Sequence, residues 1–431
     1  MSVLDQADPA LGLTDNPASI IDASYEVLIV ETQKPLQTER LQKKLGGTIK
    51  ILQICDLIKK REFDSVNFAL QHYFKPSTLK KSFLKDYKGK IQFGISLYLL
   101  NEELAQKPRE SFQPQGQKND RSYNIFIEPK KIGMMIKKTL TETGASVRLV
   151  LPEMNSLSLA SVAVTGNLLL QKGAEVCLLV GKDKIYTAKT LTVQDFEDYG
   201  RRDYQRPIRD EKQGMIPPKV AQIMINMSGA KPGSTILDPF CGIGTMVQEG
   251  LLLGYRMIGS DLNKFAVRGS EQNLEWFRNR YKIAPGKYGL EVSDATKVSE
   301  PILKSGHTIS SVVTECTLGP IYSDYPSKLD IEKNFKDLTK LYEKSFIEFS
   351  KFLPQKARIV MCIPAYRKGR GIYEMFPSLD FANSLGYNLV SLIPHSLAKK
   401  YKFLRLTDRG SAIYDRKDQI VAREIVIFEK Q

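Results

Sequence analysis

The spacing of apolar and polar positions divides the chain into two regimes, with the change near residue 215. In the first, short apolar runs are separated by irregular polar stretches. Tyr25–Glu31 predicts a buried strand, and Thr48–Leu52 and Lys90–Leu99 two more. Glu39–Lys44 and Ala69–Phe74 predict helical pieces between them. This gives a small α+β unit over residues 25–105, after a leader at 1–24. Residues 106–120 are rich in Gln, Pro, Asn and charge, with Pro108, Pro114 and Gly116 as breakers, and predict a linker. A second α+β unit, 121–192, contains a helix over Ile132–Glu142 and strands over Val147–Leu151, Leu159–Thr165 and Ala174–Val180. Residues 193–213 follow, and Asp195–Gly214 predicts a charged connector with no buried element.

From 214 to 431 the pattern becomes a regular alternation of strand and helix. Seven strands are expected at Thr235–Leu237, Arg256–Ser260, Leu290–Ser293, Ser311–Thr314, Ala357–Ile363, Tyr387–Ile393 and Glu424–Phe428. Helices are expected at Thr245–Leu253, Phe265–Phe277, Ile331–Phe352 and Ile372–Leu385. Apolar strands alternating with helices imply an α/β domain built on a mainly parallel, doubly wound sheet.

The chemistry concentrates at the ends of these strands. Ile236-Leu237-Asp238-Pro239-Phe240-Cys241-Gly242-Ile243-Gly244-Thr245 is an apolar strand, an acidic residue, a glycine turn and a helix start. Two glycines permit close approach of the backbone to a ligand, and the helix start offers N–H donors. A dinucleotide fingerprint would carry a third glycine, but Val247 stands there. Asp238 suits a cationic amino group. Asp261, with Leu262 after it, closes the next strand where a carboxylate accepts ribose hydroxyls. Asp294, with Ala295, closes the third and can receive an adenine amino group. Any one of the three also reads as a helix cap.

Composition narrows the partners. Of 431 residues, 63 are Lys or Arg and 48 Asp or Glu, and the net charge of +15 favours a polyanion. Lys80, Lys81, Lys85, Tyr87, Lys88 and Lys90 form one basic cluster, and Lys130, Lys131, Lys137 and Lys138 another. The five cysteines are dispersed without CxxC spacing, so no metal site is expected and the compartment is reducing. No run approaches a membrane span of about 18 apolar residues, and the leader lacks Lys and Arg, which leaves the cytoplasm as the expected location.

Asp203-Tyr204-Gln205-Arg206-Pro207-Ile208-Arg209-Asp210, Gly214-Met215-Ile216-Pro217-Pro218-Lys219-Val220-Ala221-Gln222 and the cofactor turn together resemble the tRNA guanosine-N2 methyltransferases that carry a THUMP domain. Gly144-Ala145-Ser146-Val147-Arg148 and Leu159-Ala160-Ser161-Val162 resemble a divergent THUMP region within 121–192. The resemblance implies a Rossmann-like, seven-stranded methyltransferase domain at 214–431 and S-adenosylmethionine as cofactor. Its ligands would be Asp238, Pro239, Phe240, Cys241, Gly242, Gly244, Thr245, Asp261, Leu262, Asp294 and Ala295. RNA, in particular tRNA, would be recruited by the N-terminal half, and any partner subunit is unspecified.

Members of that family act through an Asp/Asn-Pro-Pro-Tyr loop after the fourth strand. Here the sequence is Thr314-Glu315-Cys316-Thr317-Leu318-Gly319-Pro320. Glu315 takes the acidic position, with Cys316 and Thr317 as its catalytic neighbours, but the prolines and the aromatic are absent. Tyr322 and Tyr325 lie close enough downstream to supply a ring. Two other readings stay open: methylation of another nucleic-acid amine (an rRNA base or DNA adenine), and a non-catalytic RNA-binding subunit that retains the cofactor fold.

Overall fold

Two sheets and a preceding hairpin carry the architecture of the computed structural model, which describes residues 18–60, 66–84, 89–100, 128–209, 215–416 and 419–431. Most of the leader at 1–24, the whole linker at 106–120, Lys85, Tyr87 and Lys88, and residues 210–214 of the connector lie outside the described residues.

The hairpin pairs β1 (Ala18–Ala23) with β2 (Leu28–Thr32). β2 falls within the expected Tyr25–Glu31 strand, but Tyr25 and Leu28 are exposed, because a two-stranded ribbon has only one covered face.

The first sheet contains β3 (Lys50–Lys59), β4 (Ile91–Leu99), β5 (Val147–Val150), β6 (Gly173–Val180) and β7 (Lys184–Val193), in the order β3-β7-β6-β4-β5. Strands from 25–105 and from 121–192 therefore interleave. The two separate α+β units drawn from the sequence give way to one sheet, since β4 pairs on both sides with strands that follow the linker. Leu159–Thr165 is not a strand. Ser161–Gly166 forms a helix, with Ser161 and Val164 turned inward at helical spacing and Val162 exposed.

A buried ion pair ties this sheet together. Glu175 on β6 has no exposed surface, and Lys50 Nζ of β3 reaches its carboxylate at 2.5 Å. Ser96 Oγ of β4 and Thr190 Oγ1 of β7 donate to the same carboxylate at 2.6 and 2.5 Å. Lys50 also donates to the carbonyl of Leu159 at 2.7 Å.

The second sheet is laid out as expected. β8 (Thr235–Asp238), β9 (Arg256–Asp261), β10 (Tyr288–Val292), β11 (Ile309–Glu315), β12 (Arg358–Gly369), β14 (Tyr387–Val390) and β16 (Val421–Lys430) realise all seven strands, joined by β13 (Ile372–Met375) and β15 (Ala412–Tyr414). The order is β10-β9-β8-β11-β12-β16-β14, parallel from β10 to β12, with β16 antiparallel to both neighbours.

Alternate side chains of these strands feed two cores, because a pleated strand points successive residues to opposite faces. Leu237, Val312, Ile359 and Phe428 meet helix Lys328–Ser350, which buries Ile331, Phe335, Leu338, Tyr342, Phe346 and Phe349 along one stripe. Ile236, Val313, Val360 and Ile425 meet helices Pro218–Met227, Thr245–Leu252 and Lys264–Tyr281. The helix expected over Ile372–Leu385 is instead β13 and a short helix, Asp380–Ser384. Gly371, at φ +73°, turns the chain back so that β13 extends the edge of β12.

The charged connector also differs from expectation. Phe196–Tyr204 is a helix, and Arg202 and Arg206 are buried. Arg202 tolerates burial because Glu249 accepts from its Nε at 2.8 Å and Asp198 from its Nη1. Tyr281 Oη donates to Asp198 and Tyr199 Oη to Gln222, which docks the connector on the second sheet's helices.

The Lys50–Glu175 pair yields a stability prediction. Lys50→Met leaves an uncompensated buried carboxylate and should cost roughly 3–5 kcal/mol, most of it recovered in Lys50→Met/Glu175→Leu. Urea denaturation of the three proteins checks both values.

Candidate functional site

Strand order reverses direction between β8 and β11, and a crevice opens there at the carboxyl ends of the parallel strands. Asp238, Asp261 and Glu315 are the last residues of β8, β9 and β11, and Asp294 lies just beyond β10. The four acidic residues picked out along the sequence thus share one edge.

Their surroundings differ. Asp238 is buried, accepts from Thr314 Oγ1 at 2.6 Å and from the Phe240 N–H at 3.2 Å, and burial pushes its carboxyl up to about 7. Asp261 is half-buried. Its Oδ2 accepts from the Gly242 N–H at 2.9 Å and its Oδ1 from the Asn263 N–H at 2.8 Å, so it braces the glycine turn. Asp294 caps the single turn Ala295–Lys297 through the N–H and Oγ1 of Thr296. Each carboxylate has a structural contact whether or not it meets a ligand.

The turn between β8 and helix Thr245–Leu252 has room in front of it. Gly242 is left-handed at φ +51°, and a Cβ added there would meet nothing within 4 Å. Gly244, at φ +90°, is the opposite case, since a Cβ would press on Ser270 Oγ at 2.4 Å. Leu262 is 71% and Val292 58% exposed, two large apolar side chains at the ends of β9 and β10 without a core to cover them. Carboxylates alternating with exposed apolar side chains beside an open glycine turn fit an adenine nucleoside bearing an amino-acid group. Phe240 is partly buried against the core, while Pro239, Cys241, Thr245 and Ala295 are buried, so their side chains support the turn from behind. Thr245 Oγ1 accepts from Arg206.

At the fourth strand, Glu315 keeps 18% of its side chain exposed and is paired with Arg423 Nε of β16, a guanidinium only 3% exposed. Burial raises the carboxyl of Glu315, and Arg423, Arg416 and the backbone at Ile216 oppose that rise. Arg423 Nη1 also donates to Gln419 Oε1 at 2.7 Å. Cys316 does not belong with the catalytic residues. Its side chain lies in the core between sheet and helix Lys328–Ser350, and burial pushes its thiol well up. Thr317 is exposed, and its carbonyl accepts from Tyr342 Oη at 2.8 Å.

The loop that replaces the acidic-Pro-Pro-aromatic motif is pinned from one side. Asn334 Nδ2 donates to the Leu318 carbonyl and to Tyr366 Oη, and Gly319 at φ +101° is the residue that lets it approach. Tyr322 packs edge-on against Tyr366 in the core, whereas Tyr325 is 44% exposed. Of the two rings, Tyr325 is the one open to a substrate. Sequence reasoning missed Arg423, although a charge inside Val421-Ala422-Arg423-Glu424-Ile425-Val426 is a visible signal.

Residues 206–380 match the family described as RMKL-like, methyltransferase domain. The second half of the chain carries a methyltransferase domain. A family described as DNA methylase matches residues 80–272. A tRNA (guanine(10)-N2)-dimethyltransferase of Methanothermobacter thermautotrophicus is 30% identical over 173 residues, covering 34% of this chain and 51% of that protein. The enzyme of the same description from Pyrococcus abyssi is 26% identical over 207 residues, covering 47% and 52%. This chain spans about half the length of the curated relatives it matches. Among solved structures, a possible methylase from Clostridium difficile 630 aligns with 96% of this chain and 92% of its own at 12% identity and a TM-score of 0.46.

The methyltransferase domain's glycine turn separates two kinds of substitution. Gly242→Ala should cost about 1 kcal/mol, the strain of a left-handed residue, while Gly244→Ala should exceed about 2 kcal/mol because it also displaces the buried Ser270 hydroxyl. Chemical denaturation of both variants tests the ranking.

Proposed function

We propose that this chain transfers a methyl group from S-adenosylmethionine to the exocyclic N2 amine of guanosine in RNA, with tRNA as substrate and the cytoplasm as its compartment. The observation that carries the reading is the convergence of Asp238, Asp261, Asp294 and Glu315 on one sheet edge around an open glycine turn. The relatives named tRNA (guanine(10)-N2)-dimethyltransferases supply the substrate class.

Bound S-adenosylmethionine supplies an electrophilic methyl on a sulfonium. Asp238 faces its amino group, Asp261 the ribose hydroxyls and Asp294 the adenine amine. Leu262 and Val292 offer apolar flanks for the adenine ring.

The guanine amine shares its lone pair with the ring, so it needs an acceptor for its N–H as the N–C bond forms and the C–S bond breaks. Glu315 is that acceptor, and the proton released by the amine passes through its carboxylate to water. Tyr325 provides a face against which the flipped base stacks. The interleaved sheet of residues 50–193, which includes the THUMP-like stretch 121–192, recruits the RNA. Helix Pro129–Thr141 buries Ile132, Ile136 and Leu140 and turns Lys131 and Lys138 to solvent, where they can track phosphates. Among the described residues no helix is long and apolar enough to cross a membrane. The match to a DNA methylase family supports a second reading, methylation of a DNA amine.

Transfer from radiolabelled S-adenosylmethionine to unmodified tRNA, followed by nucleoside mass spectrometry, tests the proposal. Label in N2-methylguanosine is expected; label only on DNA favours the second reading, and no transfer favours a non-catalytic RNA-binding subunit.

Glu315→Gln should lower turnover on the order of a hundredfold or more while still binding cofactor. The pH profile carries a sign. Glu315 must be ionised to accept, so activity falls as pH drops through its raised pKa. Removing the Arg423 cation destabilises the carboxylate and raises that pKa further. Arg423→Met should therefore move the acid limb of the rate profile to higher pH, and an unmoved limb would separate Arg423 from Glu315.

A further inference from the structure

Helix Thr245–Leu252 begins directly after the glycine turn, and its first turn holds no acidic residue and no side-chain cap. Unpaired N–H groups and aligned peptide dipoles make such an end partially positive. A cation is an unfavourable neighbour there, yet Arg206 occupies the position. Its Nη1 donates to Thr245 Oγ1 at 2.6 Å, and its side chain has no exposed surface.

The remaining guanidinium is under-partnered. Nε and Nη2 of Arg206 are buried without a hydrogen-bond acceptor. Asp203 stands 3.6 Å from Nη2, past hydrogen-bond range. Glu249, the other nearby carboxylate, is engaged by Arg202 at 2.8 Å. Arg209 adds repulsion, and burial holds the Arg206 pKa below its usual value. A buried charge is normally paired, and unsatisfied donors on it are costly. A buried guanidinium and an uncapped helix start, side by side, call for an anion.

We infer that Arg206 and the N-terminus of helix Thr245–Leu252 bind the carboxylate of the methionine moiety of S-adenosylmethionine. The inference rests on the cofactor reading above and adds a residue to it. Asp238 and Thr245 bracket a single glycine turn, so a zwitterionic amino-acid group meets a carboxylate at one end of the turn and Arg206 with N–H donors at the other. Gly242, with open space before it, leaves the path between them clear. An RNA phosphate is the other anion of suitable chemistry.

Calorimetry on the full chain compares S-adenosylhomocysteine with methylthioadenosine, which keeps the nucleoside and thioether but lacks the amino-acid group. Arg206→Met should weaken S-adenosylhomocysteine roughly 10- to 100-fold, the range for hydrogen bonds to a charged group, and leave methylthioadenosine unchanged. Arg206→Lys should restore part of the loss.

Equal loss for both ligands, or no loss for either, overturns the assignment while leaving the cofactor reading intact. A wild type that binds neither ligand removes both. A fall in tRNA affinity with S-adenosylhomocysteine unaffected would give the anion site to RNA phosphate and overturn the assignment. Should Arg206→Met fail to fold, the wild type alone decides. It should bind the methyl ester of S-adenosylhomocysteine at least roughly tenfold more weakly than the free acid, and equal affinities contradict the role given to Arg206.

Discussion

Parallel strands that run outward in both directions from a central pair leave their carboxyl ends, and the loops that follow them, around one crevice. Here the pair is β8 and β11, and the rest of the catalytic half depends on it. The glycine turn follows β8, the acidic loop follows β11, and β9 and β10 continue one arm with Asp261 at the end of β9 and Asp294 just beyond β10. Two helical layers bury the alternate faces of these strands, so the edge is the part of the sheet left to water and to ligands. Helix Lys264–Tyr281 adds local support, since Asn273 donates to the carbonyls of Ile208 and Ile243 and so fastens the incoming segment and the turn together.

Buried charge recurs as the second theme. Lys50 with Glu175, Arg202 with Glu249, and Arg423 with Glu315 each remove two ions from water in geometry good enough for the pair to persist. The first pair holds a sheet whose strands come from distant parts of the chain. The second docks the connector helix beneath the glycine turn. The third fixes the acidic residue at the fourth strand, in the place where related enzymes use a proline-rich loop. Arg206 departs from this pattern because its strongest neighbour is a hydroxyl.

Much of the catalytic half was legible because its strands are short apolar runs that end in acidic residues and alternate with helices of clear period. The N-terminal half was less so. β7 interleaves Lys184, Thr187, Lys189, Thr190 and Thr192 with its apolar residues and gave no apolar run to notice. Val162 and Val164 suggested a strand through their β-branched side chains, but the burial of Ser161 and Val164 at a spacing of three selects a helix. That β4 pairs with strands lying beyond the linker has no local sequence signal at all. The same limit applies at the site. An acidic residue after an apolar strand announces itself, whereas the burial of Arg206 and Arg423 depends on neighbours brought from elsewhere.

The account stands on S-adenosylmethionine lying along the edge formed by β8, β9 and β10, with Asp261 on its ribose. Titration calorimetry of S-adenosylmethionine into wild type and a folded Asp261→Ala variant tests this most directly. The account predicts measurable binding to the wild type and a loss of about 1.5–3 kcal/mol in the variant, the scale of hydrogen bonds to a charged group. No binding to the wild type, or equal affinity in the two proteins, would contradict it.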